Sequence, residues 1–449
     1  MPDAATPAPA ASPSLRHAPL AAAGALHDAA LELLSSRGVP VAGETALALL
    51  EGAGATADRA AGRVRLPAEL VREAAGRAPA SFVLPGRTPD RDATVGGGGG
   101  RMAATAAAPD VGAAALLADA LPEVAVVGVP TRRLAELPAA LEATAKPVLV
   151  CGAMSAAQAN AVIAVGAALG GREPGSPPPL GVVVHSREQR DLDPLLACAR
   201  AGLPCGFFAQ PVADGPPATP GEALVALHAA ALAACAVQQL AAPGAGYVVP
   251  ALPAAVEEHA PGFGLGPAGV ATLAGLAQLA AHAGLPLAAG FPPTRPATDE
   301  WLSAADGTAF ALAAALGGAA LMAAAGHTDG GTVYSPAQLV LDAETWSNVA
   351  AVAAGIAVDD ETIALDTITA VGIGGNALAQ RHTRRHMKDV WRPRLFDRSL
   401  YEAWRREGRP GAAERAAALA GELVAGHGVA PLGREKQETL RRIIATAGL

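Results

Sequence analysis

EVAVVGVPTRRLAELPAALEATAKPVLVCG, residues 123–152, holds the unit whose repetition decides the fold. A short apolar run (EVAVVG, 123–128) is followed by a helix-length segment and then a second apolar run (KPVLVCG, 146–152). Strands with helices on both faces have no solvated side, so they read as continuous apolar runs and not as alternation. The same beat continues through LGVVVHS (180–186), LPCGFFAQ (203–210), AGYVVPA (245–251), LPLAAGF (285–291) and AALMAAAG (319–326), and MAATAAA (102–108) precedes it. Eight such units predict an α/β fold, a closed (β/α)8 TIM barrel. An open doubly wound sheet is the rival, but no G-x-G-x-x-G follows the first run.

Outward from the barrel the pattern changes. Upstream, LHDAALELLSSRGVPV (26–41) repeats apolar residues at helical spacing through Leu26, Ala30, Leu33 and Leu34, with Gly38 as a C-cap. ETALALLEGAGA (44–55) reads as a second helix, and RVRLPAELVREAAGRAPASFVLPGR (63–87) completes an N-terminal extension. The Pro- and Ala-rich residues 1–19 read as a disordered tail. The glycine run 96–100 has no Lys-Ser/Thr ending and reads as a connection, not a phosphate loop. Downstream, 400–408, 412–428 and 434–449 are amphipathic and should pack outside the barrel or between subunits. The expected organisation is therefore a tail (1–19), an N-terminal helical and β extension (20–100), the barrel (101–355) and a C-terminal segment with helices (356–449).

Composition narrows the function. Hydrophobic residues make up 51% and charged residues 16%, and the net charge of −8 leaves no basic face for nucleic acid. Cys151, Cys198, Cys205 and Cys235 show no CxxC pairing and fit buried thiols of a reducing cytoplasm. Ala309–Gly326 carries no charge over eighteen residues, yet Gly317-Gly318 splits it into a buried helix and a buried strand, so no membrane span is expected. His382 and His386 in HTRRH share one helical face; without a nearby third ligand no metal is assigned to them.

The barrel fixes where the chemistry belongs. Active sites of this fold lie at the C-terminal ends of the strands. The residues there are Met154 and Ser155, His185 and Ser186, Gln210, Tyr247, Phe291 through Arg295, and His327 through Asp329. Helix capping and loop packing are the competing roles for each.

Three motifs, SPAQLVLD (335–342), DDETIALDTI (359–368) and WRPRLFDR (391–398), together resemble the trimethylamine methyltransferases and their relatives acting on other methylated amines. The likeness extends to LHDAALELLSSRGV, ADALPEV (118–124), AKPV (145–148) and LDPLLACARAGLPC (192–205). It implies a methyltransferase barrel that moves a methyl group from a methylated amine to Co(I) cobalamin, a corrinoid carried by a partner protein, giving methylcobalamin. Trimethylamine-specialised members carry pyrrolysine. This chain has only the standard residues and is similar to the pyrrolysine-free branch, which implies a quaternary amine substrate. Co(I) is a strong nucleophile and a quaternary ammonium leaves as a neutral amine, so the protein must supply positioning and a dry pocket rather than acid–base catalysis. Aromatic faces bind such cations at roughly 0.5–2 kcal/mol per contact.

With aromatics at 3%, their positions carry information: Phe207, Phe208, Tyr247, Phe263, Phe291, Trp301 and Tyr334 fall at or after strand ends. Asp299, Asp306 and Asp329 lie in the late loops. The expected substrate-binding set is His185, Phe208, Gln210, Tyr247, Phe291, Asp299, His327, Asp329 and Tyr334, with no catalytic residue assigned. The loop at 294–310 departs from the family pattern. A catalytically reduced barrel that binds a methylated amine or a partner protein is therefore the alternative. A homo-oligomer is compatible with either.

Overall fold

In the computed structural model, described residues are 20–97, 100–106, 109–186, 191–209, 219–251, 267–290, 300–328, 333–406, 408 and 411–448. The tail 1–19 lies outside them.

The chain enters through α1 (Leu20–Ser36) and α2 (Glu44–Gly52). Ala30 and Leu34 of α1 are buried, as their four-residue spacing requires. Gly38 ends the helix at φ 68°, donating its N–H to Leu33, and a Cβ there would stand 2.3 Å from the Val64 carbonyl oxygen. Only glycine fits. Strands β1 (Val39–Pro40), β2 (Thr56–Asp58) and β3 (Arg63–Arg65) form a small antiparallel sheet of order β1-β3-β2. Then come α3 (Ala68–Arg77) and an antiparallel hairpin of β4 (Ser81–Leu84) with β5 (Ala93–Gly96).

Eight parallel strands follow in sequence order: β6 (Arg101–Thr105), β7 (Val124–Pro130), β8 (Val148–Cys151), β9 (Leu180–Ser186), β10 (Cys205–Ala209), β11 (Val249–Ala251), β12 (Leu287–Gly290) and β13 (Leu321–Ala325). Each of the eight apolar runs of the sequence overlaps one. Strand β13 pairs back onto β6, and the last seam, between β10 and β11, is joined where Cys205 N–H donates to the Gly246 carbonyl and Val248 N–H to Cys205. The barrel is (β/α)8, and the open-sheet rival falls.

The strands are followed in turn by α4 (Val111–Ala120), α5 (Leu137–Ala143), α6 (Ala156–Leu169), α7 (Asp193–Arg200), α8 (Pro220–Ala241), α9 (Pro267–His282), α10 (Glu300–Gly317) and α11 (Pro336–Ala353). A short hairpin, β14 (His327–Thr328) with β15 (Val333–Tyr334), interrupts the last connection. Helix α8 is long and apolar enough to cross a membrane, but 78% of its most apolar window is buried, against helices that include α1, α3 and α9. There His228 is 1% exposed and accepts or donates one hydrogen bond with His27 at 2.9 Å, and the His282 ring lies 5.2 Å from that of His27. Burial and these neighbours pull the His228 pKa down to about 3.

Two apolar clusters result. The larger lies between strands and helices. The smaller fills the barrel: Ala103, Val126, Leu149, Val183, Val248 and Ala288 meet Leu84, Ala93 and Val95 of the β4–β5 hairpin, with Phe82 packed beside them. Each buried Leu, Val or Phe contributes about 2 kcal/mol. The hairpin is thus an apolar floor at the N-terminal end of the barrel, leaving the other end as the mouth.

The C-terminal region holds α12 (Asp360–Ile363), α13 (Leu365–Val371), α14 (Arg381–His386), α15 (Tyr401–Arg406), α16 (Ala412–Gly426) and α17 (Arg434–Thr446). Ala416 and Ala420 seat α16 on α11 and α4, and Leu440 and Ile444 seat α17 on α6 and α5. The resemblance motifs map onto polar fasteners of this shell. Asp119 of ADALPEV accepts from Thr144 at 2.6 Å and pairs with His427 at 2.8 Å. Lys146 of AKPV, 5% exposed, donates to the carbonyls of Ala118 and Leu121, and burial lowers its pKa to about 8.

Candidate functional site

The best-defined wall of the mouth is the end of β13. Its pairing with β6 slips by one residue between Met322 and Ala325, a bulge that leaves Ala324 at φ 66°. A non-glycine residue with that φ is strained by roughly 1–2 kcal/mol and survives only where its surroundings impose it. What imposes it is the first half of α11. Asp342, 7% exposed, accepts the Gly326 N–H and the Gln338 amide, each at 2.7 Å, while Ser335 caps the helix through the Gln338 N–H and donates its own N–H to Gly326. Gly326 stands at φ 91°, and a Cβ there would come within 3.0 Å of the Tyr334 ring. SPAQLVLD is therefore a clamp on the strand end. Burial pushes the Asp342 pKa up to about 7 against the pull of its two donors.

The clamp presents His327 and Tyr334, register partners in the β14–β15 hairpin. Their rings meet edge to face at 6.1 Å and 77°. His327 is 8% exposed, with Nδ1 3.2 Å from the Ala324 carbonyl oxygen. A carbonyl only accepts, so Nδ1 carries the proton and Nε2 is left as an acceptor. Burial, assisted by Arg132, lowers the His327 pKa and favours the neutral ring. The Tyr334 hydroxyl is buried without a hydrogen-bond partner among the described residues, and burial raises its pKa.

Beside this wall, Cys151 at the end of β8 donates its thiol to the Leu149 carbonyl, and burial pushes its pKa up to about 12. The raised pKa disfavours the thiolate that nucleophilic attack needs. A Cβ at Gly128 would meet Thr105 Oγ1 at 3.2 Å and Cys151 Sγ at 3.5 Å, so these three residues of β6, β7 and β8 line one patch. Ser155 is a helix cap, accepting the Gln158 N–H in a capping box. His185 and Phe208 are register partners in β9 and β10, two residues beyond Val183 and Gly206. Their side chains, with Gln210, Phe291, Asp299 and Asp329, lie outside what the structure describes, as do Phe263 and the side chains of Phe207 and Trp301.

Tyr247 is a correction. AGYVVPA reads as one strand, but β11 begins only at Val249, so Tyr247 precedes it at the floor end of the barrel. Its side chain is fully buried and its hydroxyl donates to the Ala231 carbonyl of α8 at 3.0 Å. Tyr247 locks the β10–β11 seam to a helix and does not reach the mouth. Of the expected set, His327 and Tyr334 are brought together; Asp342, their support, was visible only as an acid inside an apolar helix. At HTRRH, His382 bonds the Glu361 carbonyl and His386 pairs with Asp389, and no cluster of three metal-ligating side chains forms among the described residues.

A parallel eight-stranded barrel with a sealed floor and a braced, strained strand end at its mouth is the frame of an α/β-barrel enzyme. The chain matches the family model of trimethylamine methyltransferase over residues 11–116 and 127–447. It therefore belongs to the trimethylamine methyltransferase family, and it is a methyltransferase. A trimethylamine methyltransferase of Desulfitobacterium hafniense is 26% identical over 94% of this chain and 91% of its own. One from Methanosarcina barkeri is 29% identical over 56% of this chain and 51% of its own. A glycine betaine methyltransferase of Desulfitobacterium hafniense is 35% identical over 21% of this chain and 20% of its own.

Proposed function

We propose that the protein takes a methyl group from a quaternary amine and passes it to Co(I) of a corrinoid carried by a partner protein, in the cytoplasm. The family match across both the extension and the barrel is the observation that carries this reading. In the transfer the C–N bond breaks with its electron pair kept by nitrogen, which leaves as a neutral tertiary amine, and the carbon bonds to cobalt. No proton moves, so no general acid or base is required.

The mouth suits that demand. His327 neutral, Tyr334 and the Thr105–Gly128–Cys151 patch offer dipoles and apolar surface to a cation, and the floor keeps water out of the barrel. His185, Phe208, Gln210, Phe291, Asp299 and Asp329 complete the proposed pocket. Preference for a quaternary amine over trimethylamine rests on a chain built of standard residues alone.

Conversion of Co(I) cobalamin to methylcobalamin, followed by visible absorbance across quaternary, tertiary and sulfonium donors, tests the reaction. Methylation by a quaternary donor is expected. Silence with every donor, from folded protein that binds no amine calorimetrically, would leave the reduced, partner-binding barrel as the reading.

A further inference from the structure

Between α11 and the WRPRLFDR motif the chain builds an arm with no core. From residue 351 to 394 not one residue is buried. Yet Ile356 is 89% exposed, Val358 76%, Leu365 65%, Ile373 105% and Leu378 68%. Apart from Val83 and Val333, every large hydrophobic side chain of comparable exposure among the described residues falls between Val352 and Tyr401. Exposed apolar side chains concentrated in one segment to this degree mark an interface.

The arm is also shaped. Asp359 and Thr362 form a reciprocal cap, Thr383 bonds the Ala377 carbonyl, and the two limbs are tied where His382 meets the Glu361 carbonyl and Arg385 pairs with Glu361. Its return is bolted to α11: Glu344, 1% exposed, accepts the N–H groups of Arg394, Leu395 and Phe396, and Trp391 donates to Ser347. Specific polar geometry without apolar cover describes a surface made to be covered.

We infer that the cover is the arm of a second copy of this chain, in a two-fold dimer. Charge supports self-pairing. The first limb is acidic (Asp359, Asp360, Glu361, Asp366) and the second basic (Arg381, Arg384, Arg385, Lys388). Asp360, Asp366, Arg381, Arg384 and Lys388 make no ion pair among the described residues. A two-fold axis sets the acidic limb of each copy against the basic limb of the other, which fixes register.

Position argues against the methyl acceptor as the occupant. Helix α11 starts at the mouth, where Ser335 meets Gly326, and runs toward the floor. The arm therefore leaves from the floor end, and Arg394 pairs there with Glu123, next to the start of β7. An acceptor must reach the mouth; that clause alone rests on the proposed reaction.

Sedimentation of the full chain across a concentration series tests the dimer. The parent is expected to dimerise, and Leu365→Asp with Ile373→Asp to raise the dissociation constant at least roughly tenfold. Circular dichroism should stay unchanged, because neither side chain is in the core. Asp366→Arg should weaken the dimer, and adding Arg384→Asp in the same chain should restore it. A monomeric parent, a dimer indifferent to the Asp substitutions, or arm amides protected from exchange only when a corrinoid-carrying protein is added would each overturn the inference.

Discussion

Asp342 spends its charge on geometry. Its folded pKa, near 7, lies above the ordinary carboxylate value, so the folded state holds the proton more tightly and stability falls as pH rises from about 4 to 7. Asp342→Asn should therefore gain stability relative to the parent by up to about 1.4 kcal/mol per pH unit over that window, read by urea unfolding at stepped pH. Asp342→Ala, which strands the Gly326 N–H, should cost about 2 kcal/mol and lower methyl transfer through a misplaced His327. His228 works with the opposite sign. Its folded pKa of about 3 lies below the unfolded value, so stability is full above pH 6.5 and declines as pH falls toward 3. His27, His282, Asp28 and Arg72 surround this cluster, and His228→Phe should flatten the acid limb of the stability profile while Asp342→Asn leaves it in place. The two groups oppose each other between pH 4 and 6.5, so the variants separate them where the parent curve cannot.

Among the elements, helix α11 carries the most architecture per residue. Its Asp342 braces the mouth and its Glu344, two residues on, anchors the returning arm. Glu344→Ala leaves three N–H groups without their acceptor, while Arg394 keeps Glu123, and should cost about 3 kcal/mol, with fast amide exchange confined to residues 394–396 as the diagnostic. Tyr247→Phe removes one hydrogen bond at the β10–β11 seam and should cost about 1 kcal/mol while leaving amine affinity unchanged. The strands were legible in sequence because burial on both faces writes an unbroken apolar run. The start of β11 was not, since AGY is as apolar as the strand it leads into and only hydrogen bonding distinguishes approach from ladder. Candidate site residues were legible as positions after strands but not as roles: Ser155 and His327 look alike in the sequence, and local hydrogen bonding alone makes one the start of a helix and the other a wall of the mouth. The motif SPAQLVLD marked the family without disclosing that its final acid works on a backbone N–H of the preceding strand.

At the scale of the molecule, extension and barrel share their cores. Helices α1 and α3 pack on α8, and the β4–β5 hairpin fills the barrel floor. A chain beginning at residue 101 would expose Val126, Leu149 and Val183 to water from below and bare one side of α8. Expressed alone, it should lose cooperative thermal unfolding and aggregate, whereas independent folding would show the extension to be dispensable.

The floor also dictates traffic. With the lower end sealed, the small donor and protein-borne acceptor of the proposed transfer would queue at one doorway, and the larger visitor would block it for the smaller. In the proposed transfer the amine would have to be seated before the acceptor arrives, and the demethylated amine would depart only after the acceptor has withdrawn. Kinetics of the proposed transfer should then follow a compulsory order, donor first, with excess acceptor trapping the spent amine inside and slowing turnover.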